Sequence, residues 1–336
     1  MEDYVTHFEE LCAFYELGNV IQKTYEVKGG LLHKMFCVET ERGKYAVKLL
    51  NPLIMQRPKV LEYFIDSEKA AASMVNVIPA VSAIQIHKEV LFKHKDQYHL
   101  VYHWVDGVMM RNDQIETKHC SIMGDILAKI HIHKFDVNSI PKPMADDYSP
   151  SQWEAYLKIG KEQKQDWVPE FEKMMDHILE IERKREMSSK TLNREMVMSH
   201  RDLDPKNILW QGYSPYVIDW ESTGYVNPNL ELLEVAMYWS CDENQNLNEQ
   251  KFLSLFNSYN QIKSIHCNDW CPVLYGVFNG KMDWLEYNLK RSLGIEAADA
   301  DEIALGTDQV RLTLQDITGY SNLWPKLKEL LSNKWR

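Results

Sequence analysis

The pattern of the chain changes once, at Asp106-Gly107, and that change restricts the fold more than any other feature. Upstream, the β-rich runs Tyr25 to Gly30, His33 to Thr40 and Lys44 to Leu50 are separated by Gly29-Gly30 and Glu41-Arg42-Gly43, as in an antiparallel meander. Val81 to His87 and Tyr98 to Trp104 read as two further strands, with a turn over Lys93 to Gln97. Two helices accompany them: Tyr4 to Leu17, where Phe8, Leu11, Cys12 and Tyr15 recur at helical spacing, and Lys59 to Val75, ended by Pro79. Downstream the period is helical over Ile115 to His133, Trp153 to Met187, Leu230 to Trp239, Glu249 to Ile265, Pro272 to Leu293 and Asp301 to Leu331. The expectation is an α+β protein of two lobes: residues 1–104 as a small antiparallel sheet plus helix, residues 105–336 as a larger, mainly helical part.

Charge narrows the function. The chain carries 49 acidic side chains against 38 Lys plus Arg, a net charge of −11, which disfavours a sequence-independent grip on nucleic acid. The longest apolar stretch, Ala70 to Ile84, is broken by Ser73, Asn76, Pro79 and Ser82, so no membrane span is expected. The start, Met1-Glu2-Asp3-Tyr4, is acidic where a secretory signal is basic, and the six scattered cysteines read as reduced thiols. A cytoplasmic protein is expected, without membrane or nucleic-acid partners; its oligomeric state stays open.

The helical pattern is interrupted only between Leu192 and Ile218, and the polar residues gather there. Ser199-His200-Arg201-Asp202-Leu203-Asp204-Pro205-Lys206-Asn207 forms a loop between short β-type segments, and Tyr216-Val217-Ile218-Asp219-Trp220-Glu221 ends a strand with Asp219 at its mouth. Two carboxylates and an amide oxygen are hard ligands, too few to dehydrate a metal, and suit Mg²⁺ shared with the phosphates of a nucleotide. Asn207 and Asp219 are the candidate metal ligands. Asp202 is the candidate catalytic base, orienting an attacking hydroxyl and accepting its proton, with Arg201 and the metal keeping it ionised.

His-Arg-Asp followed four residues later by Asn, with an Asp closing the next strand, resembles the protein-kinase-like superfamily. Its small-molecule branch is the better match: Asp204 stands where Ser/Thr protein kinases carry Lys, Trp220-Glu221 where they carry Phe-Gly, and no Ala-Pro-Glu follows. The chain resembles the aminoglycoside phosphotransferase and choline kinase family over most of residues 20–240. The resemblance implies a bilobal protein-kinase-like fold and transfer of the γ-phosphate of ATP to an alcohol. It also implies that Lys48, ending the strand Tyr45-Ala46-Val47-Lys48, holds the α and β phosphates and pairs with a helix glutamate, Glu68, with Glu62 the poorer alternative. Gly29 and Gly30 resemble the family's shortened nucleotide-positioning hairpin. Tyr102, His103 and Val105 lie in a segment resembling the hinge that meets the purine, and a bulky Tyr102 leaves GTP open beside ATP.

The acceptor is the least determined part. Between Ile208 and Gln250 there is no Lys or Arg, yet Asp219, Glu221, Glu231, Glu234, Asp242, Glu243 and Glu249 all fall there. Such a field suits a cationic small molecule. Asp204, Glu221, Glu234, Asp242 and Asp283 are candidate acceptor contacts by charge, and Trp239, Trp270 and Trp284 by stacking on a cation. An aminoglycoside is the first expectation; choline, ethanolamine, homoserine and methylthioribose types stay open, as does a nucleotide-binding regulator without catalysis.

Overall fold

A computed structural model describes residues 7–27, 33–142, 151–297 and 299–335. The first helix, α1 (Phe8–Phe14), precedes three strands, β1 (Tyr25–Val27), β2 (Lys34–Thr40) and β3 (Gly43–Leu49). A short α2 (Pro52–Met55) and the longer α3 (Val60–Met74) lead to β4 (Phe92–His94) and β5 (Gln97–His103). The five strands form one sheet in the order β1-β2-β3-β5-β4, and its neighbours pair antiparallel. Lys95 and Asp96 both have positive φ between β4 and β5, the two-residue turn whose twist matches that of the strands it joins.

Alternation along β3 gives the sheet two different faces. Tyr45, Val47 and Leu49 join Val38 and Val101 in a buried cluster with Leu11, Cys12, Tyr15 and Leu17, residues of α1 and the turn after it. Lys48, between Val47 and Leu49, therefore points to the opposite face. There Leu50 and Leu100 pack with Phe64 of α3, Met55 and Ala83, with Tyr102 at the margin.

Val81 to His87 is not a strand. Val81 donates to the Val217 carbonyl and Ile84 to the Val101 carbonyl, but His87 and Lys88 at positive φ turn the chain back, and β4 takes the edge beside β5. Composition here marks burial against the sheet and not membership of it.

The remaining elements are α4 (Thr117–Ile132), α5 (Trp153–Gln163), α6 (Val168–Leu192), β6 (Val197–Ser199), β7 (Ile208–Gln211), β8 (Ser214–Val217), β9 (Gly224–Val226), α7 (Pro228–Ser240), α8 (Glu249–Ile262), α9 (Cys271–Gly276), α10 (Phe278–Ser292) and α11 (Ala300–Lys334). The single helix expected over Trp153 to Met187 is two. Lys164 takes a left-handed conformation, and the following turn inserts Trp167 against Gly160, where a β-carbon would lie 2.3 Å from the indole. Pro169 then starts α6. Pro272 to Leu293 is likewise divided, at Val277, into α9 and α10.

The chain clusters into two compact units: residues 1–111, 132–142 and 198–224, and residues 112–131, 143–197 and 225–336. The second is helical. Trp153, Trp167, Phe171, Trp239, Phe252 and Phe256 are buried in it, and His131 is held there between Glu231 (Nε2 to Oε2, 2.7 Å) and the Tyr259 hydroxyl (2.7 Å from Nδ1). Among the described residues no helix is long and apolar enough to cross a membrane.

Candidate active site

The polar loop of residues 199–221 belongs to the same compact unit as the sheet. Asp204 starts a 3₁₀ turn over Pro205–Asn207 by accepting a hydrogen bond from the Lys206 N–H (2.9 Å). β7 follows and returns through Gly212-Tyr213 as β8, with Ile208 opposite Val217. The Ile218 N–H donates to the Asn207 carbonyl (3.0 Å), so Asn207 and Asp219 stand together at the open end of this hairpin. Asp219 is left-handed, φ 60°, a conformation that redirects its side chain off the strand. His200 is fully buried and links the two segments: its Nδ1 accepts from the Asp202 N–H (3.2 Å), which places its proton on Nε2, facing the Ile218 carbonyl at 3.0 Å.

Lys48 brings the sheet to this hairpin. Its Nζ donates to Asp219 Oδ1 at 2.8 Å and to Glu221 Oε2 at 2.6 Å. Burial alone would lower the Lys48 pKa, but the two carboxylates outweigh it and hold the ammonium charged. For Asp219, burial pushes upward, and the Lys48 charge and hydrogen bond bring the carboxyl below its ordinary range. Glu221 stays raised, because burial and the neighbouring Asp219 exceed the pull of Lys48. His33 stands 3.5 Å from Glu221 and accepts from the Asn51 N–H (2.9 Å); burial first and Lys48 second push it down to about 4, so it is neutral.

Glu68 does not make the expected ion pair with Lys48. It is buried on α3, with Oε1 accepting from the Tyr102 hydroxyl (2.6 Å) and Oε2 from the Ala83 N–H (2.7 Å). Each oxygen thus has one donor, while Lys48 is bonded to carboxylates more than 170 residues downstream. Burial raises the Glu68 pKa against these two donors. Tyr102 thus meets a carboxylate, a partner its place in the sequence does not disclose.

Asp202 accepts from Asn207 Nδ2 (2.8 Å) and lies 3.3 Å from Lys206 Nζ. Lys206, one helical turn on, is a cation beside it; Arg201 packs over Gly224, where a β-carbon would lie 2.8 Å from its Nη1. The segment expected to be the hinge is held at both ends. The Trp104 N–H donates to the Lys44 carbonyl, and Val108 exchanges backbone hydrogen bonds with Trp210. Gly107 is required between them, since a β-carbon there would come 2.8 Å from Leu209 Cβ. His103 pairs with Tyr45 in the sheet, and Val105 lies in the extended stretch just beyond. Gly29 and Gly30 fall outside the described residues.

Of the candidate acceptor contacts, Trp239 and Trp270 are core residues, the latter donating to the Trp335 carbonyl (2.6 Å). Asp242 is spent on its own turn, accepting from Asn244 and Asn246, and Asp283 pairs with Arg185 (2.6 Å). Glu221 accepts from Lys48, and Asp204 caps the 3₁₀ turn over Pro205–Asn207. Glu234 is half-buried on α7. Trp284 alone of the three tryptophans is exposed, stacked on Tyr287 at 5.4 Å between centroids.

The metal can be tested against these atoms. Asn207 Nδ2 donates to the carbonyl and to Oδ2 of Asp202, both at 2.8 Å, which leaves Oδ1 as the amide atom able to meet a cation. Asp219 supplies a carboxylate at the same hairpin end. Among the described residues no three His, Cys, Asp or Glu side chains gather as a metal site of their own. So small a set of hard oxygens fits a hydrated ion such as Mg²⁺ that arrives with phosphate oxygens.

A lysine held against a strand-end aspartate, beside a loop carrying an aspartate and an asparagine, on a small antiparallel sheet followed by helices, defines a phosphotransferase of protein-kinase-like fold. The sequence profile of the phosphotransferase enzyme family matches residues 24–261, well over half of the chain, and the protein belongs to that family. Solved structures share the fold. Spectinomycin phosphotransferase APH(9)-Ia in complex with ADP and spectinomycin is 14% identical with a TM-score of 0.71, the match covering 93% of this chain and 94% of that one. Amicoumacin kinase hAmiN in complex with AMP-PNP, Ca²⁺ and Ami is 13% identical, TM-score 0.60, covering 94% and 95%. A Plasmodium vivax ethanolamine kinase is 15% identical, TM-score 0.56, covering 91% and 87%. No curated protein matches by sequence.

Proposed function

We propose that this phosphotransferase moves the γ-phosphate of ATP to a hydroxyl of a cationic small molecule, aminoglycoside-like in character, in the cytoplasm. The observation that carries this reading is the Asp202 carboxylate, held by Asn207 and Lys206, in the same compact unit as the pair of a buried Lys48 and a part-exposed Asp219. The first would meet the acceptor and the second the phosphates. The acceptor oxygen forms a bond to the γ-phosphorus, the bond to the bridging oxygen breaks, and ADP leaves with that electron pair. Asp202 orients the hydroxyl and takes its proton late, since the transition state is loose. Lys48 balances charge on the phosphates, and Asn207 Oδ1 and Asp219 are the atoms that would hold Mg²⁺. When bound, the ion would neutralise and orient the phosphate oxygens. GTP is the alternative donor.

The acidic surplus of the chain supports a cationic acceptor, and spectinomycin is bound by one protein of like fold. A choline- or ethanolamine-type acceptor is the second reading, favoured by Trp284 and Tyr287, stacked and 44% and 43% exposed. The test is a screen of aminoglycosides and amino alcohols with coupled detection of nucleoside diphosphate, with and without Mg²⁺. Acceptor-dependent release of diphosphate supports the reading. Absence of even slow Mg²⁺-dependent triphosphate hydrolysis would favour a nucleotide-binding regulator.

A further inference from the structure

We infer that Lys206 is a further catalytic residue of this phosphotransferase, its ammonium meeting the oxygens of the phosphoryl group in transit from nucleotide to acceptor. The inference rests on the reading of Asp202 as the group that takes the acceptor's proton.

The loop over residues 199–221 carries one Arg and one Lys, Arg201 and Lys206, among four carboxylates, Asp202, Asp204, Asp219 and Glu221. Arg201 packs over Gly224. Lys206 is directed elsewhere. Asp204 closes the turn around it twice: its Oδ1 accepts from the Lys206 N–H and its carbonyl from the Asn207 N–H, both at 2.9 Å. Within that 3₁₀ turn Pro205 and Asn207 are buried, and Lys206 between them sends its side chain outward, 60% exposed, with Nζ 3.3 Å from Asp202 Oδ2. The same Oδ2 accepts from Asn207 Nδ2 at 2.8 Å.

Distance puts this ammonium beside the reacting atoms. An acceptor hydroxyl bonded to Asp202 lies about 2.6–3.2 Å from its carboxylate oxygen, and reacting atoms approach to about 3–3.5 Å, so the γ-phosphorus comes within about 7 Å of Asp202. The flexible four-carbon stem of Lys206 reaches the phosphoryl oxygens by rotation alone.

Charge supplies the reason. Lys48 already donates to Asp219 and Glu221, and no Lys or Arg follows between Ile208 and Gln250. A loose transition state spreads negative charge over the three equatorial oxygens of the phosphoryl group, and a cation on the acceptor side stabilises that state more than the ground state. The acceptor oxygen bonds to the γ-phosphorus as the bond to the bridging oxygen breaks, ADP keeps that electron pair, and the acceptor's proton ends on Asp202. Loss of the Asp202 charge frees Lys206 from its ion pair to follow the phosphoryl group.

The experiment compares Lys206→Met, Lys206→Arg and Asp202→Asn in the full chain. Three quantities are read: ADP affinity by calorimetry, slow Mg²⁺-dependent hydrolysis of ATP with water as acceptor, and kcat and KM with an aminoglycoside or amino alcohol found in the screen. Lys206→Met should lower hydrolysis and kcat by about tenfold or more, with ADP affinity and acceptor KM within about twofold of the parent. Lys206→Arg should keep most of the rate. Adding Lys206→Met to Asp202→Asn should lower the rate further, which a lysine that merely orients Asp202 would not do. Unchanged hydrolysis and kcat in Lys206→Met, an effect confined to acceptor KM, or no further loss in the Asp202→Asn background would each overturn the inference, and in all three the loss of turnover in Asp202→Asn alone would leave the reading of the site intact. Turnover that survives Asp202→Asn, or no turnover in the parent chain, would overturn that reading and the inference with it.

Discussion

Asn207 Nδ2 donates to both the backbone carbonyl and the Oδ2 of Asp202, each at 2.8 Å, so a single amide closes the loop from Asp202 to Asn207 and orients the carboxylate that the proposed reaction needs. The same two bonds turn the amide oxygen outward. One residue thus ties the acceptor side of the chemistry to the metal side, and loss of either should be felt at the other.

Asp202→Asn keeps the shape and removes the charge and the proton acceptor. Turnover should fall by a factor on the order of 10² or more, the usual scale for a lost general base, with nucleotide affinity nearly unchanged. Steady-state kinetics with an acceptor found in the screen, beside calorimetry with ADP, checks this. Near-normal kcat would show that another group positions the hydroxyl.

Asp219→Ala removes a proposed metal ligand and one partner of Lys48. Turnover should be lost, and the tightening of nucleotide binding by Mg²⁺ should disappear while binding in chelator persists through Lys48. A titration of ADP affinity against Mg²⁺ concentration reads this directly; an unaltered Mg²⁺ dependence would move the ion elsewhere.

Asp66, buried on α3, accepts from the Asn138 and Ser139 N–H groups (3.1 and 2.7 Å) and from Lys69. Burial raises its pKa, but Lys69 and the Ser139 N–H outweigh that and leave it below the ordinary value. Its stabilisation is therefore complete above the unfolded pKa of about 3.9 and is lost as pH falls through the lower folded value. Asp66→Asn should cost about 1–3 kcal/mol at neutral pH. Urea unfolding at pH 7 and near pH 3.5 should show the gap between variant and parent shrinking with acid; a constant gap would remove the charge from the account.

Gly124 allows α4 to approach α8. A β-carbon at this position would lie 2.2 Å from the Leu255 carbonyl oxygen, which belongs to a helix backbone and cannot step aside. Gly124→Ala should destabilise by about 1–3 kcal/mol in spite of alanine's better helix propensity. Thermal melting that is unchanged or raised would mean the two helices separate freely.

The sequence was legible where local pattern and chemistry coincide. β2, β3 and β5 follow the alternation of their residues, and Lys48, Asp202, Asn207 and Asp219 stand out because few residue types do such chemistry and their spacing is short. It was opaque where a choice is made in space. Nothing local tells that Lys48 meets Asp219 and Glu221, 171 and 173 residues downstream, and not the nearer Glu68, which accepts instead from Tyr102 and Ala83. Trp239 lies on α7 and Trp270 just before α9, and neither position says on its own that the indole is buried. Trp167 breaks an otherwise continuous helical pattern by fitting against Gly160, a contact no periodicity announces.

The helix α1 and the turn after it pack on one face of the sheet, burying Leu11, Cys12 and Tyr15 against Val38, Val47 and Val101. A chain cut after Leu17 would present that face, bordered by the open edges of β1 and β4, to water. Such a species would be sticky while retaining every residue assigned to phosphoryl transfer, so proteolytic trimming near Gly18 would register first as loss of protein from solution and only through that as loss of turnover.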